Sequence, residues 1–165
     1  MREVLMKKIN GNIILFLIFS AVLSGCGGSS EKSEPPDSSQ LLSIAVIPKG
    51  TTHEFWKSIH AGAVKASWEY DNVEIIWKGP LKEDDREEQL QIVETFIASK
   101  ASAIVLAPLD DRSLMRPVVD AKSHGIPTII IDSDLQGDSH VSFVATDNYK
   151  GGVLGAERLG ELLGG

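Results

Sequence analysis

The chain has 165 residues, of which 16 are Lys or Arg and 23 are Asp or Glu, for a formal net charge of -7. An acidic chain with no basic cluster does not attract phosphate backbones, which argues against nucleic acid as a partner. A single cysteine, Cys26, leaves no second thiol for an internal disulfide or a cysteine-rich metal site.

The first element is a leader. Arg2, Lys7 and Lys8 precede the apolar run Ile13 to Leu23, and Leu23-Ser24-Gly25-Cys26 closes it. A basic start, a short apolar stretch and small residues at its end make a secretory signal. The run is well short of the roughly 20 residues that a spanning helix needs. Its ending resembles the lipobox of bacterial lipoproteins. That resemblance implies a signal peptide over 1–25, a diacylglycerol on the Cys26 thiol and a membrane reached through that lipid. The alternative is a chance cysteine after an uncleaved anchor. Setting 1–25 aside removes Arg2, Lys7, Lys8 and only one acid, Glu3, so the rest is more acidic still.

Residues 26–40 are rich in Ser, Gly, Glu and Pro, and Gly27 to Gln40 holds no aliphatic side chain. Such a stretch buries no core and reads as a flexible tether. The folded part then starts at Leu41. Leu42 to Pro48 is a short apolar, partly β-branched run, expected as a strand covered on both faces. After the turn Lys49-Gly50-Thr51-Thr52, the spacing of Thr51 and Glu54 suggests a capping box. A helix carrying Phe55, Ile59, Ala63 and Ala66 is expected to follow, through to Tyr70. Val73 to Trp77 is the second strand, ended by Gly79-Pro80. Asp84 to Lys100 is helical, with Leu90, Val93, Phe96 and Ile97 on one face. Ala103 to Ala107 is the third strand. Ser113 to His124 is a third helix, in which Pro117 requires a late start or a kink. Thr128 to Ile131 and Val141 to Ala145 are further strands, and Asn148 to Leu163 is a last helix.

Alternating strands and helices at this spacing predict an α/β fold, a parallel sheet with right-handed crossovers and helices on both faces. In such sheets ligands bind beyond the carboxyl ends of the strands. That rule directs attention to the loops at 48–56, 78–82, 108–111, 132–135 and 146–148.

Four stretches on those loops are recognisable together. Ile44-Ala45-Val46-Ile47-Pro48 is followed by His53-Glu54-Phe55-Trp56 and Gly62. Ala103-Ile104-Val105-Leu106-Ala107-Pro108 is followed by Asp110. Gly125-Ile126-Pro127 leads to Ile131-Asp132, and Val144-Ala145-Thr146-Asp147-Asn148 to Gly151-Gly152. In this order they resemble the ribose-binding group of type I periplasmic sugar-binding proteins, from Leu42 to about Leu163. The resemblance implies a three-layer αβα lobe with strand order 2-1-3-4-5. It implies a ligand site at Lys49, His53, Phe55, Trp56, Asp132 and Ser133, and a hinge at Thr146, Asp147 and Asn148.

The residue types suit a sugar, which needs a carboxylate to accept hydroxyl protons and a ring to cover its C–H face. Asp132 matches the family's carboxylate, Phe55 and Trp56 its aromatic pair, and Lys49 another contact position. His53 falls where the family often has Asn. Ser133 departs from the Arg of ribose binders, which leaves the sugar's identity open. Each residue has a plainer reading. Phe55 at helical spacing with Ile59 suits core packing as well as contact, while Trp56, one step round, is the better placed for a ligand face. Asp132 is otherwise a solvated strand cap and His53 an ordinary first-turn residue. Asp110 and Asp111 cap the following helix rather than form an acid/base pair, and Asp147 caps the last helix.

Two lobes enclose the ligand in that family. The resemblance therefore implies that 41–147 is the first lobe and that 148–165 carries the helix after the hinge, belonging to a second. The expected function is a lipid-anchored, extracytoplasmic solute-binding protein. It delivers a sugar-like small molecule to the permease of an ABC importer, without a cofactor. A sensory lipoprotein that presents its ligand to a sensor kinase or chemoreceptor is the alternative. An enzyme is disfavoured, since the sequence holds no zinc-binding histidine motif and no nucleophile elbow, and its four histidines are scattered.

Overall fold

The computed structural model describes residues 40–164. The expected signal peptide, lipidation of Cys26 and tether up to residue 39 fall outside the described residues. The described elements are β1 (Leu42–Ile47), α1 (Glu54–Ser67), β2 (Val73–Trp77), α2 (Arg86–Ala98), β3 (Ala103–Leu106), α3 (Met115–Ser123), β4 (Thr128–Ile131), β5 (Ser142–Val144) and α4 (Asn148–Leu163). The five strands form one sheet of order β2-β1-β3-β4-β5, with every neighbouring pair parallel. The expected α/β architecture and strand order are both present.

Side chains alternate across the sheet, and the two faces differ in cover. Ala45 and Ile47 of β1, Ile104 and Leu106 of β3 and Ile130 of β4 are buried on one face. Ile92, Val93, Phe96 and Ile97 of α2 and Val118 and Ala121 of α3 complete that core. Each fully buried Ile, Leu or Phe contributes roughly 1.5–3 kcal/mol of transfer free energy, so this face dominates the stability. Leu42, Ile44, Val105, Ile129 and Ile131 point to the other face and are only partly buried. There α1 covers the β1–β2 side, and His60 stacks on Trp77 with centroids 4.5 Å apart.

Two helix starts differ in detail from expectation. The N-cap of α1 is His53, whose Nδ1 accepts the Phe55 N–H, and not Thr51. Thr51 Oγ1 instead donates to the Pro80 carbonyl at 3.2 Å. A short hydroxyl is drawn from capping when a neighbouring loop offers a carbonyl within reach. In α3 the late start is realised: Pro117 falls in the first turn, where its missing N–H costs little.

β5 and α4 stand apart from the core. All three residues of β5 are exposed, and α4 contains no buried residue. Val141, Phe143, Val144, Leu154, Leu159, Leu162 and Leu163 are all exposed.

Candidate ligand-binding site

The site grows from two strand ends. β1 ends at Ile47 and β4 at Ile131, with β3 between them, so Lys49 and Asp132 project from the same rim of the sheet. The Lys49 ammonium lies 2.8 Å from Asp132 Oδ2, with side-chain exposures of 18% and 30%. Ser133 Oγ accepts a hydrogen bond from Lys49 Nζ and donates to Asp132 Oδ2 at 3.2 Å. The three side chains thus close a triangle across the crevice side of the sheet.

Asp132 reaches that position through a left-handed backbone, φ 65°. Its N–H remains in the ladder, donating to the Val144 carbonyl at 3.1 Å. Aspartate tolerates this region better than most side chains because its short polar group bonds locally. The chain then turns tightly, with Ser133 N donating to the Ile131 carbonyl at 2.8 Å.

The aromatic pair divides its work in the reverse of the expected way. Phe55 is 46% exposed and Trp56 only 2%. Trp56 packs inward because its indole N–H finds a charged acceptor, Glu83 Oε1, at 2.7 Å. Phe55 meets it edge-on, centroids 4.9 Å apart. The ring presented on the rim is therefore Phe55. His53 is exposed, with Nδ1 committed to capping.

Two loops flank the β1–α1 loop and hold it. Thr51 and Thr52 hydroxyls donate to the Pro80 and Leu81 carbonyls, each at 3.2 Å. A Cβ on Gly79 would lie 2.7 Å from Pro48 Cγ, so only glycine allows this approach. Beyond β3, Asp110 Oδ1 accepts from Ser113 N at 2.7 Å and Arg112 N at 2.8 Å. The amide of Ser113, then that of Arg112, hold its carboxyl below the usual range against partial burial, helped by the Arg86 guanidinium. Asp110 thus closes the turn ahead of α3 and does not cap the helix as expected: the N-cap is Leu114, without a side-chain cap bond, and Asp111 instead accepts from Gln136 Nε2 at 2.6 Å. Asp147 does cap α4, accepting from Lys150 N at 2.8 Å. Thr146 and Asn148 beside it are exposed.

Sequence reasoning missed Glu83, Thr51 and Thr52 as supports of the site. Their partners are distant in the chain, and no local pattern marks them. Among the described residues no group of three or more His, Cys, Asp or Glu side chains is placed to hold a metal ion.

Comparison with known proteins gives the class. Residues 44–165 match the periplasmic binding protein domain family, and the chain belongs to that family. It is 32% identical to the D-ribose/D-allose-binding protein of Pseudomonas aeruginosa over 89% of this chain and 49% of that protein. A solute-binding protein of Agrobacterium vitis, solved with bound D-fucose, is similar at 35% identity. The match has a TM-score of 0.69 over 74% of this chain and 43% of the other. A periplasmic solute-binding protein of Actinobacillus succinogenes with bound D-allose is similar at 29% identity and TM-score 0.68, over 74% and 45%. The chain spans half or less of the length of these relatives.

Proposed function

We propose that this chain supplies one lobe of a sugar-binding protein of an ABC importer, outside the cytoplasm and tied to a membrane by a lipid on Cys26. The observation that carries the reading is the Lys49–Asp132–Ser133 triangle on the carboxyl rim of a sheet in this family. Asp132 Oδ2 is taken by Lys49 and Ser133, while Oδ1 accepts from no described residue. A sugar hydroxyl fits that oxygen, and the third N–H of Lys49 fits a hydroxyl oxygen. The exposed ring of Phe55 suits a C–H face.

The relatives solved with D-fucose and D-allose support a neutral monosaccharide as the ligand class. The bare apolar surfaces of β5 and α4 support a second lobe packed against them, with 146–148 as the hinge. Ligand held by both lobes selects the closed form, and the permease reads that form. The protein binds and releases its cargo without reacting with it.

Calorimetric titration of the protein with D-ribose, D-allose and D-fucose tests this reading. Binding of any of them, lost at least tenfold in Asp132→Asn, is the expected result. Binding unaffected by that substitution refutes the site. The anchor is tested separately: Cys26→Ser releases the protein from the membrane fraction, and retention in that fraction refutes the lipid.

A further inference from the structure

Among the described residues, two buried side chains are polar, Thr128 and Gln89. Gln89, in the first turn of α2, is 1% exposed. Its carboxamide is bonded on both sides. Nε2 donates to the Pro48 carbonyl at 3.1 Å and to the Ala107 carbonyl at 2.9 Å, and Oε1 accepts the Leu109 N–H at 3.0 Å.

These partners share a location. Pro48 and Ala107 are the first residues past β1 and β3. The bond from Ala107 N to the Ile47 carbonyl, at 2.9 Å, continues the pairing of those strands just past their ends. Beyond it the two chains diverge, one to Lys49 and the other to Asp110. The Gln89 carboxamide takes over there, spanning both chains with three hydrogen bonds. Its two donors and one acceptor match two carbonyls and one amide, a pattern that no apolar side chain and no ionised carboxylate can supply.

We infer that Gln89 is a positioning residue of the ligand site: its carboxamide braces the β1–α1 loop against the β3–α3 loop and thereby sets where Lys49 meets Asp132. The polarity of the side chain carries this role, not its bulk. Methionine fills a similar volume but leaves two buried carbonyls and one amide without partners. The β1–α1 loop is then fixed on one side by Thr51, Thr52 and Trp56, through the β2–α2 loop, and on the other by Gln89. The effect on the loops stands on the geometry alone. The effect on affinity rests on the sugar-binding reading above.

Amide hydrogen exchange on the protein and on Gln89→Met and Gln89→Glu separates bracing from packing. The readout is the ratio of exchange at Leu109 to exchange at Ile104, whose N–H bonds to the Pro127 carbonyl inside the sheet. In Gln89→Met that ratio rises at least tenfold. Gln89→Glu keeps an oxygen that accepts the Leu109 N–H, so its ratio rises less than that of Gln89→Met. A ratio unchanged in Gln89→Met, with all amides accelerated together, overturns the inference and leaves Gln89 a packing residue.

D-allose and D-ribose serve as probes for the second effect. Gln89→Met weakens their binding about tenfold, a change of about 1.4 kcal/mol. Undiminished binding in that variant overturns the link to Lys49. Wild-type protein that binds no sugar at all refutes the sugar reading, and the exchange ratio still decides the brace.

Discussion

Lys49 and Asp132 meet at 2.8 Å across the carboxyl ends of β1 and β4, with β3 between their strands. The pair is partly shielded, so its geometry matters more than the small attraction expected of a fully solvated ion pair. Lys49→Met removes the cation that orients Asp132 while keeping the aliphatic stem. Sugar affinity is expected to fall at least tenfold, about 1.4 kcal/mol, with a stability change under about 1 kcal/mol. Titration calorimetry and urea unfolding measure the two effects separately.

Asp132 itself constrains what can replace it. At φ 65°, Asn is tolerated and a β-branched residue is not. Asp132→Asn is expected to unfold at an unchanged urea midpoint. Asp132→Val is expected to lose roughly 1–2 kcal/mol. Equal stability of the two variants contradicts the backbone assignment.

The aromatic pair separates stability from recognition. Trp56→Ala empties a buried site and is expected to cost about 3–5 kcal/mol. Trp56→Phe keeps most of the ring, loses the bond to Glu83 and costs about 2 kcal/mol. Phe55→Ala changes an exposed side chain and costs under about 1 kcal/mol, yet weakens sugar binding. The opposite ranking in unfolding experiments defeats the exposure pattern described above.

Gly79 permits the close approach of the β2–α2 loop to Pro48. Gly79→Ala must push the proline back, which also displaces Lys49. A destabilisation of about 1–3 kcal/mol is expected. Crystallography of the variant checks the accompanying shift of Lys49 from Asp132.

Asp110 makes the fold sensitive to acid. Its carboxyl titrates below the usual value because the Ser113 and Arg112 amides, and then Arg86, favour the anion. A lowered folded-state pKa means that the contribution is fully present above the unfolded value of about 3.9 and is lost as pH falls through the folded value. Asp110→Asn keeps an oxygen for the Ser113 and Arg112 amides and loses only the charge, so it is expected to cost under about 1 kcal/mol at neutral pH. It also flattens the change in urea midpoint between about pH 5 and about pH 2 relative to wild type. Parallel curves for the two proteins exclude this role.

Much of the fold is legible in local pattern. β1, apart from Ser43, and β4, apart from Thr128, are apolar runs, as expected of strands in a parallel sheet carrying helices. Pro117 places the start of α3 within a turn. Asp147 announces α4 because a cap acts through the next few amides. What escaped local reading depends on partners far along the chain. Trp56 is drawn inward by Glu83, and Thr51 is drawn off the helix start by Pro80. The Lys49–Ser133 contact needs the strand order before it exists. Gln89 left a readable trace: four residues before Val93, it interrupts the apolar face of α2 with one polar group. A polar residue in such a stripe asks for buried partners, but not for which ones.

β5 closes the sheet on one side with three exposed residues, and Phe143 and Val144 are among the large apolar side chains left in solvent. Its outer backbone edge is an open template for another strand. Left uncovered, that edge can recruit the matching edge of a neighbouring copy. The concentration of half-folded protein then decides between assembly and aggregation. Slow synthesis, or a chaperone that shields this edge, should raise the soluble yield, and a lysine at Phe143 should do the same by making the edge repel its own copy.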